Sequence, residues 1–389
     1  MRWRILFVLA IARASMALQF AAIGALGPLY EDAFQIDTAD LGLLVGIYFL
    51  PSVFGALPAA MWSNKFGERR VLLCGLGLMV IGALVVATSD TWLAQAVGRI
   101  VSGKGAVLLN VISAKLVADW FSDREHATAM AVFVHSWFAG IAAALVIMPP
   151  IAESIGLAGA GWVVVAIAVF ALVGVTCCDL KSDHRLLASL EEQVFPRRPM
   201  ILLILLAGVA WGMYNGALAI ILSFGPADLV GRGRSLIEAS AITSILIWCA
   251  MGTGVLGGLI ADLSRRPVAV LFVSTTTMLL AMVSFPLTNH VLLPLFFLGL
   301  AAGLPSSLFL ALAASALQPR ERSFGLGLFF TAHFLVFSSA PALAGKVVSL
   351  STNPEISFLF GAGLLFGAML LAFVCLRIHG KTAARVVPV

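Results

Sequence analysis

Three cationic side chains stand inside long apolar runs: Arg13, Arg99 and Lys104. Two histidines, His135 and His333, stand inside two others, while all nineteen Asp and Glu residues lie in polar connections or near the ends of runs. A charge removed from water is costly unless it is paired or hydrated. No carboxylate within the runs is placed to pair with these bases. A hydrated cavity that holds them has positive potential, and a bound anion would supply the missing counter-charge. Arg13 lies eight residues into its run, about 12 Å deep, close to the middle of a hydrocarbon layer roughly 30 Å thick. A guanidinium there can hold an anion with a two-pronged fork. The competing role is helix packing or snorkelling.

The other polar groups admit similar pairs of roles. Arg99, Gly103 and Asn110 fall on one helical face, whereas Lys104 points about 140° away from Arg99. The two cations are therefore not expected to serve one small ligand, and Lys104 either lines the cavity or snorkels. His135 and His333 each lie about eight residues into their runs. Either can carry a coupling proton, bind an anion when charged, or tie two helices together. Trp211, Tyr214 and Asn215 are spaced by three and four residues and share a face. With Tyr48 they form an amphipathic wall opposite Arg13, or they serve aromatic packing. The stretch from Gly98 to Lys104 reads Gly-x-x-x-x-Gly-Lys, like a phosphate loop, but Gly105 follows where Ser or Thr is needed, and no strand precedes it. ATP binding is rejected.

The elements that position these groups follow from composition. Of 389 residues, 61% are hydrophobic and 11% are charged, and the mean hydropathy is +1.05. Soluble domains carry about a quarter charged residues, so this is a polytopic membrane protein. The runs define twelve helical spans at 5–29, 41–62, 71–88, 92–114, 127–150, 157–178, 200–224, 236–261, 267–287, 291–313, 325–349 and 356–377. Backbone groups in lipid must be satisfied internally, which makes each span a helix. Met1 to Ala17 imitates a signal peptide, but Arg13 interrupts its core and the apolar run continues to Leu29, so an uncleaved first span is expected. The five cysteines show neither a paired framework nor metal spacing. The pI near 9.1 does not indicate nucleic acid. Eighteen of the 24 Lys and Arg residues fall on the side of the even-numbered loops and both termini, which places that side in the cytoplasm.

Two basic turns organise the chain. The first is Asn64-Lys65-Phe66-Gly67-Glu68-Arg69-Arg70, and the second runs from Gly258 through Asp262 to Arg265 and Arg266. Asn64 and Asp262 lie 198 positions apart, as do Gly27-Pro28 and Gly225-Pro226; Arg124-Glu125 and Arg320-Glu321 lie 196 apart. This is a unit of six spans written twice, in parallel orientation because six is even. The halves are expected at 1–178 and 200–389, joined by a cytoplasmic linker at 179–199.

Twelve spans, parallel halves and a basic turn after span two resemble the major facilitator superfamily. Its signature turn is Gly-x-x-x-Asp-Arg/Lys-x-Gly-x-Arg-Arg/Lys. Lys65, Gly67, Arg69 and Arg70 match; Ala60 and Asn64 depart. The second copy keeps Gly258 and Asp262 but lacks the internal glycine. Arg99-x-x-x-Gly103-x-Gly105 also matches the family's span-four pattern. The resemblance implies an all-α fold of twelve transmembrane helices in two six-helix bundles, alternating access, and a structural or proton-coupling role for Arg99. It assigns the basic turns to the cytoplasmic gate, and the uncharged Asn64 implies a weaker latch there. Leu108 to Trp137, with an arginine in span one, resembles the cyanate-permease-like branch, whose members handle small anions.

The expected function is secondary transport of a small inorganic or organic anion across a bacterial-style inner membrane, by exchange or with protons. The partners are the anion, the lipid bilayer and protons; no cofactor, metal or nucleic acid is expected, and the chain is expected to be monomeric. Two other classes stay open. An exporter of amphiphilic drugs would use the 26 Phe, 12 Met and 8 Trp residues, although the family's span-five export signature is missing. A membrane sensor without transport would bind a partner at the linker. An enzyme is not expected, because no carboxylate dyad, metal cluster or nucleophile constellation appears.

Overall fold

The computed structural model describes residues 2–121, 125–178, 196, 198–264, 266–305, 308–309, 317, 321–351 and 353–386. Thirteen helices form among them: α1 (Arg2–Ala25), α2 (Gly27–Phe34), α3 (Thr38–Gly46), α4 (Ser52–Phe66), α5 (Glu68–Thr88), α6 (Trp92–Trp120), α7 (His126–Thr176), α8 (Arg198–Gly231), α9 (Leu236–Ser264), α10 (Pro267–Leu287), α11 (Leu292–Ala302), α12 (Arg322–Ser351) and α13 (Ile356–Val386). Nine of the described helices are long and apolar enough to cross a membrane, and α11 is a shorter apolar helix. The protein is an integral membrane protein.

The difference between thirteen helices and twelve expected spans has local causes. Span one divides at Leu26, just before Pro28. Span two divides between Gly46 and Ser52. Beyond Ile47 the backbone bonds shift from i−4 to i−3: Phe49 N–H donates to Gly46 O at 3.0 Å and Ser52 N–H to Phe49 O at 2.9 Å. Pro51 lacks an N–H and cannot continue the i−4 ladder. Spans five and six run together as α7, broken by non-helical backbone at Gly156 (φ 79°, ψ 170°). Span ten is helical through Ala302 and again at Leu308 and Phe309 among the described residues, and most of the expected linker 179–199 lies outside the described residues.

The two halves meet through glycines that bring backbones together. A side chain at Gly24 in α1 would strike Leu222 and Ser223 of α8; one at Gly42 or Gly46 in α3 would strike Pro341 or Ser338 of α12; one at Gly345 would strike Thr38. All these contacts lie near the ends of α1 and α8 farthest from their N-termini, so the seam is packed shut on that side. Small residues allow this close approach in the absence of a hydrophobic drive between helices in lipid. Deeper in, Thr331 donates to Val53 O at 3.1 Å.

Candidate functional site

Arg99 and Arg13 both come from helices of the first half, and their surroundings differ. Arg99 is buried in α6. Its Nε donates to Leu44 O at 2.9 Å, Nη1 to Gln19 O at 2.5 Å, and Nη2 to Phe20 O at 3.2 Å and Val45 O at 3.4 Å. Leu44 and Val45 are the carbonyls passed over when span two changes its ladder. Arg99 therefore satisfies backbone that the break releases. Its guanidinium also lies 4.4 Å over the Tyr48 ring.

Arg13 faces α7, with its guanidinium 4.4 Å from the centre of the Phe133 ring. Its Nε is buried without a hydrogen-bond partner. The ring supplies a cation–π contact but no acceptor. Buried donors in native proteins are nearly always satisfied, and an exception marks a place where a water or ligand belongs.

Among the described residues nine further polar side-chain atoms are buried without hydrogen-bond partners, the indole nitrogens of Trp92 and Trp120 included, and four of the nine belong to residues singled out in the sequence: Asn110 Oδ1, His135 Nε2, Trp211 Nε1 and His333 Nδ1. Trp211 and His333 lie tilted by 31° with ring centres 4.3 Å apart, and Trp211 stacks on Phe329. His333 continues to Phe337 at 5.5 Å. His135 binds Ala131 O through Nδ1 at 2.7 Å, and its Nε2 faces Gly254 of α9, 3.3 Å from where a Cβ there would sit. The two histidines, expected at one cavity, thus have separate neighbours: His135 lies against α9 and His333 against α8.

The expected aromatic wall also divides. Trp211 turns to α12. Tyr214 is fully buried against Phe309 and its hydroxyl donates to Ala302 O. Asn215 donates back to Trp211 O at 2.9 Å within its own helix. Tyr48 is buried under Arg99, and its hydroxyl donates to Met16 O at 3.3 Å. Tyr48 and Tyr214 thus bond protein carbonyls. Lys104 is exposed on a stripe of α6 shared with Leu93 and Val97, and the structure does not bring it to Arg13. Its helical angle opposite Arg99 is the cause.

Sequence reasoning missed the ring cluster at the centre. Phe20 of α1 stacks on Trp137 of α7 at 5.7 Å and lies 5.8 Å from Phe337 of α12. Phe49, in the break of span two, lies 5.0 Å from both Phe20 and Phe337 and stacks on Phe334 at 5.8 Å. A signal existed: Phe20 is seven residues beyond Arg13, two turns along the same face.

At the first basic turn, Gly67 ends α4 with φ 87°, a conformation that favours glycine. Arg69 donates to Thr176 O at 2.8 Å, Lys65 lies over Phe66, and Glu68 pairs with Lys115 at 2.7 Å. Arg70 and Arg266 are exposed. The side chains of Asn64 and Asp262, and Arg265 altogether, lie outside the described residues.

A sequence model of the Major Facilitator Superfamily matches residues 9–225, more than half of the chain. The chain belongs to the major facilitator superfamily. Among curated members, it is similar to the 3-(3-hydroxy-phenyl)propionate transporter of Escherichia coli (strain K12), 26% identical over 356 residues, covering 86% of this chain and 84% of that protein. It is also similar to an uncharacterized transporter of Buchnera aphidicola, 23% identical over 158 residues, 41% of this chain. In that match the chain spans 40% of the relative's length. A solved structure, that of a bacterial homolog of the human lysosomal transporter Spinster in an inward-facing and occupied conformation, superposes with TM-score 0.79 at 15% identity, covering 96% of each chain. At that identity the likeness concerns the fold.

Proposed function

We propose that this protein is a secondary transporter that moves a small anion across a bacterial inner membrane by alternating access. The observation that carries this reading is Arg13, a cation inside a membrane helix whose Nε is buried with no acceptor. Leaving such a group unpaired is strongly unfavourable, and an anion at this point offsets that cost. The superfamily match and a relative named as a 3-(3-hydroxy-phenyl)propionate transporter support the reading. So does the small-anion resemblance of Leu108 to Trp137.

In this reading Arg13 is the principal charge contact, and Trp211, His333, His135 and Asn110 supply further polar contacts or proton coupling. Arg99 is structural. The halves 1–178 and 200–389 rock about the central site, and both termini face the cytoplasm. The seam packed through Gly24, Gly42 and Gly46 then closes the outer side. The protein is a monomer and not an enzyme.

The test is uptake of a panel of labelled anions into liposomes holding the purified protein, alongside Arg13→Gln and Arg13→Lys. Anion uptake that Gln removes and Lys partly retains supports the proposal. Full uptake by Arg13→Gln at normal folded yield sinks it.

A further inference from the structure

The central residues fall into two layers, and that arrangement carries information about the substrate. The depth scale comes from one crossing: Gly24 of α1 meets Leu222 of α8. Arg13 lies eleven residues before Gly24, and Trp211 lies eleven residues before Leu222. The two helices run in the same direction, so both side chains originate about 16 Å below the crossing. They sit at one depth, one on each half. Both carry a buried N–H nitrogen with no acceptor, Arg13 Nε and Trp211 Nε1. This is the lower layer, and it is polar.

About 10 Å further along α1, Phe20 meets Trp137, Phe49 and Phe337 with ring centres 5.0 to 5.8 Å apart. This upper layer is drawn from both halves and consists of ring faces and edges. The layers are continuous on each side. Phe133, under Arg13, lies one turn before Trp137 on α7, and His333, tilted against Trp211, lies 5.5 Å from Phe337.

We infer that the substrate is a monocarboxylate with a flat apolar body: its carboxylate is shared between Arg13 of one half and Trp211 of the other, and its body lies against the rings of Phe20, Phe49, Trp137 and Phe337. The two oxygens of one carboxylate accept from the two unpartnered donors, which gives the anion a contact on each half. A planar body finds offset-stacked and edge-on partners in the upper layer. Small inorganic anions fill only the lower layer. Di- and tricarboxylates place a second charge against rings that offer it no donor. A ligand held by both halves also favours the state in which they approach, since it shifts the equilibrium by its differential affinity.

The inference rests on the anion reading above, and the experiment separates the two. Radiolabelled benzoate is bound to the full chain in nanodiscs and displaced by acetate, nitrate, succinate and benzyl alcohol. The ranking on the unmodified protein needs no variant. Benzoate is expected to bind about tenfold or more tighter than acetate or nitrate, with benzyl alcohol and succinate weaker still. Arg13→Gln is expected to weaken benzoate by about tenfold or more. Trp211→Phe, which keeps the ring contact with His333 but removes the donor, is expected to weaken it about fivefold without lowering the melting temperature. Arg13-dependent binding in which benzoate gains nothing over acetate and nitrate overturns the inference and leaves the anion reading standing. Benzoate binding indifferent to Arg13, or equal binding of benzyl alcohol, overturns both. So does the absence of saturable binding of every anion at millimolar concentration.

Discussion

Arg99 and Arg13 are the same residue, both within membrane helices of the first half, with opposite fates. Arg99 spends its donors on four backbone carbonyls from two helices. Arg13 has a buried Nε without a partner and a phenyl ring for cover. The first arrangement is complete without any other molecule. The second is not. The comparison teaches that a buried charge is read by its partners rather than its depth: satisfied by backbone, it holds the fold; unsatisfied, it is open to the binding role proposed above.

Removing Arg99 should have the largest effect. Arg99→Ala strands released carbonyls of span two, and each buried unsatisfied group costs about 1–3 kcal/mol. We expect loss of most folded protein, measured by size-exclusion recovery and melting temperature. Arg99→Lys should fail to rescue it, because an ammonium lacks the planar fork. A well-folded Arg99→Ala carrier would erase the distinction between the two arginines. Arg13→Gln sharpens the contrast from the other side. Its melting temperature should stay level or rise, because a cation whose Nε is buried without an acceptor has been removed, while anion transport falls by about tenfold or more. A large stability loss would place Arg13 with Arg99 among structural residues.

A smaller effect is expected at the seam. Gly46→Val places a side chain against Ser338 backbone, and overpacking costs about 1–3 kcal/mol. The closed seam should open, raising the thiol reactivity of a cysteine placed at Ala39; unchanged reactivity would mean the seam tolerates bulk. The smallest effect belongs to Asp37. It caps α3 by accepting from Asp40 N–H at 2.9 Å and accepts from Ser349 of α12 at 2.8 Å. The Asp40 N–H bond is the main cause that holds its carboxyl below the usual range, partly opposed by burial and helped by Ser349. A depressed folded pKa means the stabilisation is present above the ordinary carboxylate pKa and is lost as pH falls through the folded one. Asp37→Ala should cost about 1 kcal/mol near neutral pH and less in acid, seen as convergence of the two melting temperatures as pH drops. Equal differences at every pH would show that the charge contributes nothing.

Most of the fold could be read from the chain. The apolar runs, the 198-residue spacing and the signature turn lead to the superfamily fold. The divisions of spans one and two were not expected; the structure shows them at Leu26, next to Pro28, and between Gly46 and Ser52, at Pro51. The candidate site was legible only in part. Arg13, Trp211 and His333 stood out as polar groups in apolar runs. Tyr48 and Tyr214 stood out equally, yet their hydroxyls meet carbonyls of other helices. Lys104 looked like Arg13 by depth and differs in facing outward. The ring cluster of Phe20, Phe49, Trp137 and Phe337 draws on four separate segments, and only Phe20, two turns from Arg13 on one face, left a local sign.

The sequence alone determined that the chain spans a membrane, that it does so as helices, and that its halves run parallel. Those outcomes follow from hydropathy, from backbone satisfaction in lipid and from span parity, all local or countable properties. Tertiary structure alone decided which of the cations meet hydrogen-bond acceptors. Hydrogen bonding between helices depends on neighbours many residues away, 54 to 80 for Arg99, and periodicity along one helix carries no information about the acceptor facing it on the next.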